Sequence, residues 1–347
     1  MVLQAGYHSI NAGGDLFGNV NKSTRAGGKT VDAAFQTSCG AAPCVLLFTC
    51  SLSHLGSQYS PNRGLTVAMQ KTVLGKTGLK VSRMGIGGAY GISGDASIRA
   101  FELGLNYFFW MPAWQGLTDG LRQLVRTHRD DIVIAAGASA ENRSLAGMQK
   151  TLQDALEILH TDYVDILQVP LGTADELDMA LMPGGVLEWM REMRGKGSIR
   201  AIGSSTHNRS LAQQMAESGA FDMLMVRYNC AHRGAESEVF PATRAAGIGV
   251  VVFTVLRWGT LLQRPEEWPE NGPLPSAVDC YRYVLNNPDV HLTLSGASTW
   301  QQLETNLRAA DEGQPPLTPQ ETRWLIEFGD VVYRIPVSRQ PPSPQSS

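Results

Sequence analysis

The sequence is poor in charge and lacks the usual motifs for holding metals, dinucleotides or nucleic acid. Only 18% of its 347 residues are charged, and 29 Lys and Arg against 32 Asp and Glu leave a net charge of −3. No Lys/Arg block tracks a phosphate backbone, which argues against nucleic acid as a partner. The 5 cysteines are too scattered for a disulfide framework. Cys39, Cys44 and Cys50 cluster near one end, Cys230 and Cys280 lie far away, and no CxxC or Cys/His spacing suits zinc. They read as free thiols in a reducing compartment, the cytoplasm, and no metal site is expected. No apolar run reaches the ~18 residues of a membrane span. AAPCVLLFTC (Ala41–Cys50) comes nearest and has the length of a signal h-region. Acylation of Cys50 is the lesser alternative to an incidentally apolar stretch.

What is present divides into three parts. Residues 1–70 are rich in Gly, Ser, Asn and Thr without sustained periodicity, and read as a loosely ordered extension. Met69, just before KTVLGKTGLKVSRMGIGG, is a plausible alternative start. Residues 335–347 are a Pro/Ser-rich tail expected to be disordered. Between them, residues 71–334 alternate short apolar runs with amphipathic stretches.

The expected strands are RMGIGG (83–88), LNYFF (105–109), DIVIAAG (131–137), YVDILQV (163–169), IRAIGSS (199–205), DMLMVRY (222–228), GVVVFT (249–254) and HLTLSG (291–296). Helical patterns lie between them. In RSLAGMQKTLQDALEILH, Leu145, Met148, Leu152, Leu156 and Leu159 recur at spacings of three and four and make one apolar face. LEWMREMRGKG, NRSLAQQMAESG, AVDCYRYVLNN and TWQQLETNLRAA repeat the pattern. Strands that each lead into a helix, over about 250 residues, predict a (β/α)8 TIM barrel. A doubly wound sheet is the runner-up, but no GxGxxG leads from a strand into a helix.

A barrel of this kind builds its active site at the C-terminal ends of its strands. Those ends deliver Tyr90; Phe109, Trp110 and Trp114; Ser139; Pro170; Ser205 and His207; Arg227, Tyr228 and Asn229; Thr254, Arg257 and Trp258; and Ser298.

Several segments, in order, resemble the aldo-keto reductases. LGKTGLKVSRMGIGG resembles the family's LGxTGLxVSxLGLG, and LHTDYVDILQV its LGTDYVDLLQL. RYNCAHRGAESEVFPATRAAGIGVVVFTVLRWGTLL and GASTWQQLETNLRAA resemble two further family segments, the first similar to bacterial members carrying RYNxAHRGAExxVFP. The likeness spans about residues 70–330. It implies an NADP-dependent oxidoreductase barrel. Ser298, Gln302 and Asn306 match family contacts to the adenosine phosphate, at a helix start suited to anions. Ser205, Phe253, Thr254 and Leu256 fall on the remaining cofactor-binding positions, Phe253 and Thr254 standing for the usual Tyr and Ser. Thr206 and Met225 replace the family's Asn and Gln near the nicotinamide. Retained and lost NADPH binding both stay open.

The resemblance also implies a catalytic Asp, Tyr, Lys and His. Tyr protonates the carbonyl oxygen as hydride arrives, Lys and Asp lower its pKa, and His orients the substrate. Those positions hold Phe109, Trp114, Gly137 and Pro170. An indole N–H donates a hydrogen bond but is far too weak an acid to replace a phenol. His207 and Tyr228 are weak substitutes. Arg227 and Arg257 suit an acidic group, while Trp110, Trp114 and Trp258 either line a pocket for a flat small-molecule ligand or plug the mouth. Three functions follow: a noncanonical reductase, a catalytically silent cofactor- or ligand-binding barrel, and an enzyme of another reaction class reusing the mouth for an aromatic or acidic small molecule. Composition leaves the oligomeric state open.

Overall fold

The computed structural model describes residues 68–336. A short hairpin comes first: β1 (Lys71–Val73) and β2 (Lys80–Ser82) pair antiparallel. Leu74, in the connecting turn, is fully buried and belongs to the cluster that fills the barrel interior. A Cβ added at Gly249 would lie 2.6 Å from Leu74 Cγ, so only glycine fits there and the hairpin closes the N-terminal end of the barrel.

The barrel strands follow as β3 (Met84–Gly87), β4 (Tyr107–Trp110), β5 (Val133–Gly137), β6 (Val164–Pro170), β7 (Ile199–Thr206), β8 (Met223–Arg227), β9 (Gly249–Phe253) and β10 (Leu292–Ser295). Neighbours pair in parallel and β10 returns to β3, closing the (β/α)8 barrel that the sequence pattern predicts. Each expected strand is found within a residue or two of its expected span.

Strand alternation splits the core in two. Tyr107, Val133, Ala135, Ile166, Ala201, Met223, Met225, Val251, Leu292 and Leu294 fill the interior. Phe108, Trp110, Ile134, Leu167, Val169, Leu224, Val226 and Val252 face outward to the helices. The helix Leu145–Leu159 buries Met148, Leu152 and Leu159 on that layer, and Ser144 caps it by accepting a hydrogen bond from the Gly147 N–H. At the start of β6, fully buried Asp165 accepts from Arg129, Arg200 and the Ile134 N–H. Both guanidiniums also stack on Tyr163.

Besides the β1–β2 hairpin, a bridge at Met69 and a closing helix lie outside the expected alternation of strands and helices. Met69 is buried and bridges to Asp311, so ordered chain starts before residue 71. A closing helix, Pro319–Arg334, starts at a reciprocal cap between Thr318 and Glu321. The rest of the expected N-terminal extension, with Cys39, Cys44, Cys50 and the Ala41–Cys50 run, lies outside the described residues, as does the tail from residue 337. Among the described residues, no helix is long and apolar enough to cross a membrane.

His160 ends the helix Leu145–Leu159 at φ 53°, ψ 51°, a left-handed position where a Cβ is penalised. Its side chain is exposed. His160→Gly is expected to stabilise the protein by about 1 kcal/mol, read as a higher urea midpoint at unchanged slope.

Candidate functional site at the barrel mouth

The inward-facing residues at the C-terminal strand ends form the mouth. Continuing the alternation of the interior cluster, they are Gly87, Phe109, Gly137, Pro170, Ser205, Arg227 and Phe253. Phe109 and Phe253 are half-buried and pack onto the interior cluster. Paired strands set Gly137 beside Gln168 and Arg227 beside Phe253.

The tightest fit here is between Phe109 and Gly137. A Cβ added at Gly137 would lie 2.6 Å from Phe109 Cε2 and 2.8 Å from its Cζ. The phenyl ring therefore fills the space that a side chain at 137 would need. Trp114 meets that ring edge-on, with centroids 5.2 Å apart, and also packs over Gly88. Across the mouth, His207 packs edge-on against Phe253 at 4.8 Å.

A family model for the aldo/keto reductases matches residues 95–272. The chain belongs to the aldo/keto reductase family. It is 27% identical over 302 residues to L-galactose dehydrogenase of Arabidopsis thaliana, covering 73% of this chain and 92% of that protein. It is 22% identical over 307 residues to an NADH-specific methylglyoxal reductase of Escherichia coli, covering 70% and 93%. Its fold matches an aldo-keto reductase from Bacillus halodurans with a TM-score of 0.62 at 24% identity, over 75% of this chain and 96% of that one.

Within this aldo/keto reductase barrel, several side chains expected at the mouth point elsewhere. Trp110 follows inward-facing Phe109 and so faces out; it is fully buried and donates through Nε1 to Thr118 Oγ1 at 2.8 Å. It is helix-layer core, not a pocket wall. Tyr228 is also buried on the outer layer, where its hydroxyl donates to Glu236 Oε1 at 2.6 Å and accepts from Asn287 Nδ2 at 3.2 Å. That removes it as a proton donor at the mouth.

Arg257 is buried and donates to the Val332 and Ile335 carbonyls at 2.6 and 2.7 Å. Its charge caps the C-terminal end of the helix Pro319–Arg334, the negative end of the dipole, rather than waiting for an anion. Leu256 packs on the outer core. Thr254, Arg257 and Trp258 all take positive φ, of 60°, 47° and 55°, so the loop leaving β9 is backbone-strained. Trp258 is half-buried in that loop.

The other cofactor positions divide. Ser205 is inward and half-buried on β7. Ser298 and Gln302 are exposed and bonded to each other, the Ser298 N–H and Oγ–H both reaching Gln302 Oε1 at 2.9 and 3.0 Å. Thr299, not Ser298, caps the helix Trp300–Leu307. Asn306 is buried, its amide donating to Ser295 Oγ at 3.0 Å, so it ties that helix to β10.

Two notable residues escaped the sequence reading. Gln168 stands one inward step below Pro170, buried, with neither amide atom hydrogen-bonded. Its signal was available, because a polar residue two positions before Pro170 shares its face. His232, in the turn after β8, packs edge-on against Tyr333. Burial first, then the Arg227, Arg257 and Arg209 charges, push its pKa down to about 4.

Two outcomes follow. Gly137→Ala is expected to cost roughly 1–3 kcal/mol by overpacking against Phe109. Phe109→Ala in the same chain should relieve most of that cost, and a double-mutant cycle in urea measures the coupling. His232, at its usual 6.5 when unfolded, is neutral in the fold down to about 4. The unfolded chain therefore binds the extra proton in between, and stability falls as pH drops from 6.5 towards 4. Urea midpoints across that window should flatten in His232→Gln.

Proposed function

We propose that this family member is a cofactor- or ligand-binding barrel that does not carry out Tyr-dependent carbonyl reduction. The observation that carries the proposal is the Phe109 ring lying in the side-chain space of Gly137. By the family resemblance these are the Asp and Lys positions, with Trp114 and Pro170 at the Tyr and His positions. A phenyl ring and a glycine supply no charge, and proline has neither donor nor charge. Trp114 offers a hydrogen bond but no transferable proton. The pieces of a catalytic set act together, so their joint replacement removes the mechanism rather than tuning it.

The residues fit NADPH in part. Ser205 and Phe253 would hold the nicotinamide end, with His207 buttressing the ring of Phe253. Ser298 and Gln302 would hold the adenosine end, where both are exposed ahead of a helix N-terminus. Asn306 would act only by anchoring that helix, since its amide is committed to Ser295. A bound nicotinamide supplies hydride. In this chain Phe109 and Trp114 crowd the mouth where an acidic group would receive the product's charge.

NADPH titration read by tryptophan fluorescence tests the binding half of the proposal. Saturable quenching, weakened about fivefold or more in Phe253→Ala, is the expected result, because the lost stacking is worth roughly 1 kcal/mol or more. No quenching up to millimolar NADPH would leave only ligands other than the cofactor. For the catalytic half, Phe109→Asp, Trp114→Tyr, Gly137→Lys and Pro170→His combined should create aldehyde reduction, while Gly137→Lys alone should fail because it restores no proton donor.

A further inference from the structure

Gln168 has no role in the proposal above, yet it is the most anomalous polar side chain near the mouth. It is 1% exposed, and both Oε1 and Nε2 lack a hydrogen-bond partner. Buried amides are almost always paired, so an orphaned one needs an explanation. Alternation on β6 directs it inward, between interior Ile166 and Pro170 at the mouth.

Its flanks are unusual. The strand register sets a glycine on each side of it, Gly137 on β5 and Gly203 on β7. On the Gly203 side the space is taken by the Gln168 stem, Ile166 and Met223, since an added Cβ would meet each of them at 2.9 Å. On the Gly137 side it is taken by the Phe109 ring. The Phe109 ring stands at the strand end, at the mouth, and can change rotamer, whereas Ile166 and Met223 lie deeper, within the interior cluster. The Phe109 side is therefore the way in from the mouth.

We propose that Gln168 is the polar anchor of a ligand site in the upper barrel interior, that the site takes a flat carboxamide, and that Phe109 turns aside to admit it. The ligand class follows from pairing. Oε1 accepts and Nε2 donates, so the partner must offer a donor and an acceptor side by side, as another primary amide does. A carboxylate would leave Oε1 facing negative charge and would be desolvated among apolar neighbours. Trp114 and Phe253 supply the ring faces and edges that suit a flat body. The site rests on the binding reading of the mouth but not on the absence of turnover.

The carboxamide has two possible sources, a free small molecule or the nicotinamide of the cofactor, and two probes separate them. Benzamide and NADPH are each titrated into the full-length protein, followed by calorimetry, for the unmodified chain, Gln168→Met and Phe109→Ala. Gln168→Met keeps the volume and removes the amide. Its Tm is expected to equal or exceed that of the unmodified protein, because two unpaired buried atoms disappear. A residue that only packs would not show that together with a loss of binding. The expected result is at least a tenfold rise in Kd in Gln168→Met, for benzamide if the ligand is a free molecule and for NADPH if it is the cofactor. Phe109→Ala should tighten the same probe at least fivefold. Unchanged Kd for both probes in Gln168→Met overturns the proposal. If that variant does not accumulate as folded protein, Phe109→Ala decides alone, and unchanged affinity for both probes there overturns it. Aldehyde reduction by the unmodified protein would refute the loss of turnover and leave this site untouched.

Discussion

The barrel mouth is organised by one close fit: the Phe109 ring, as it stands, occupies the space a side chain at 137 would take. The added-Cβ distance of 2.6 Å is far inside van der Waals contact. Around it, Trp114 packs edge-on with the ring, Gly88 makes room for the indole, and Gln168 is buried beneath without partners. Changes at 109 and 137 are thereby bound to each other. At these two positions the volume is filled by apolar contact, with no charged side chain.

The periphery of the mouth is spent on holding the fold together. Arg257 reaches across to the last turn of the closing helix, Tyr228 ties the turn after β8 to Glu236 and Asn287, and Asn306 ties the last barrel helix to β10. Polar residues that sequence places near a strand end are thus mostly committed to carbonyls and hydroxyls of neighbouring elements. The inward-facing set at the mouth includes two phenyl rings, Ser205, Arg227 and the Gln168 amide.

The fold was legible because its determinants are local. Period-two apolar runs and helices with one apolar face mark strands and helices without knowledge of partners. The interlock of Phe109 and Gly137 is not legible in the sequence, since it depends on register between β4 and β5. Trp110 was assigned to the mouth by proximity in sequence, although its parity with Phe109 already sends it outward. The commitment of Arg257 to carbonyls some seventy-five residues away could not be read from its neighbours, because such contacts exist only once the chain has closed. The positive φ values after β9 were equally hidden, as Thr, Arg and Trp give no local signal for them.

On the function we propose, the barrel has the architecture of the family while its mouth does not support protonation of a carbonyl. The most direct measurement follows label rather than cofactor consumption. The full-length protein is incubated overnight with NADPH deuterated at the transferable position and 4-nitrobenzaldehyde, and the alcohol is analysed by mass spectrometry. The account predicts no deuterated alcohol above the protein-free control. Deuterated alcohol formed over many turnovers would contradict it.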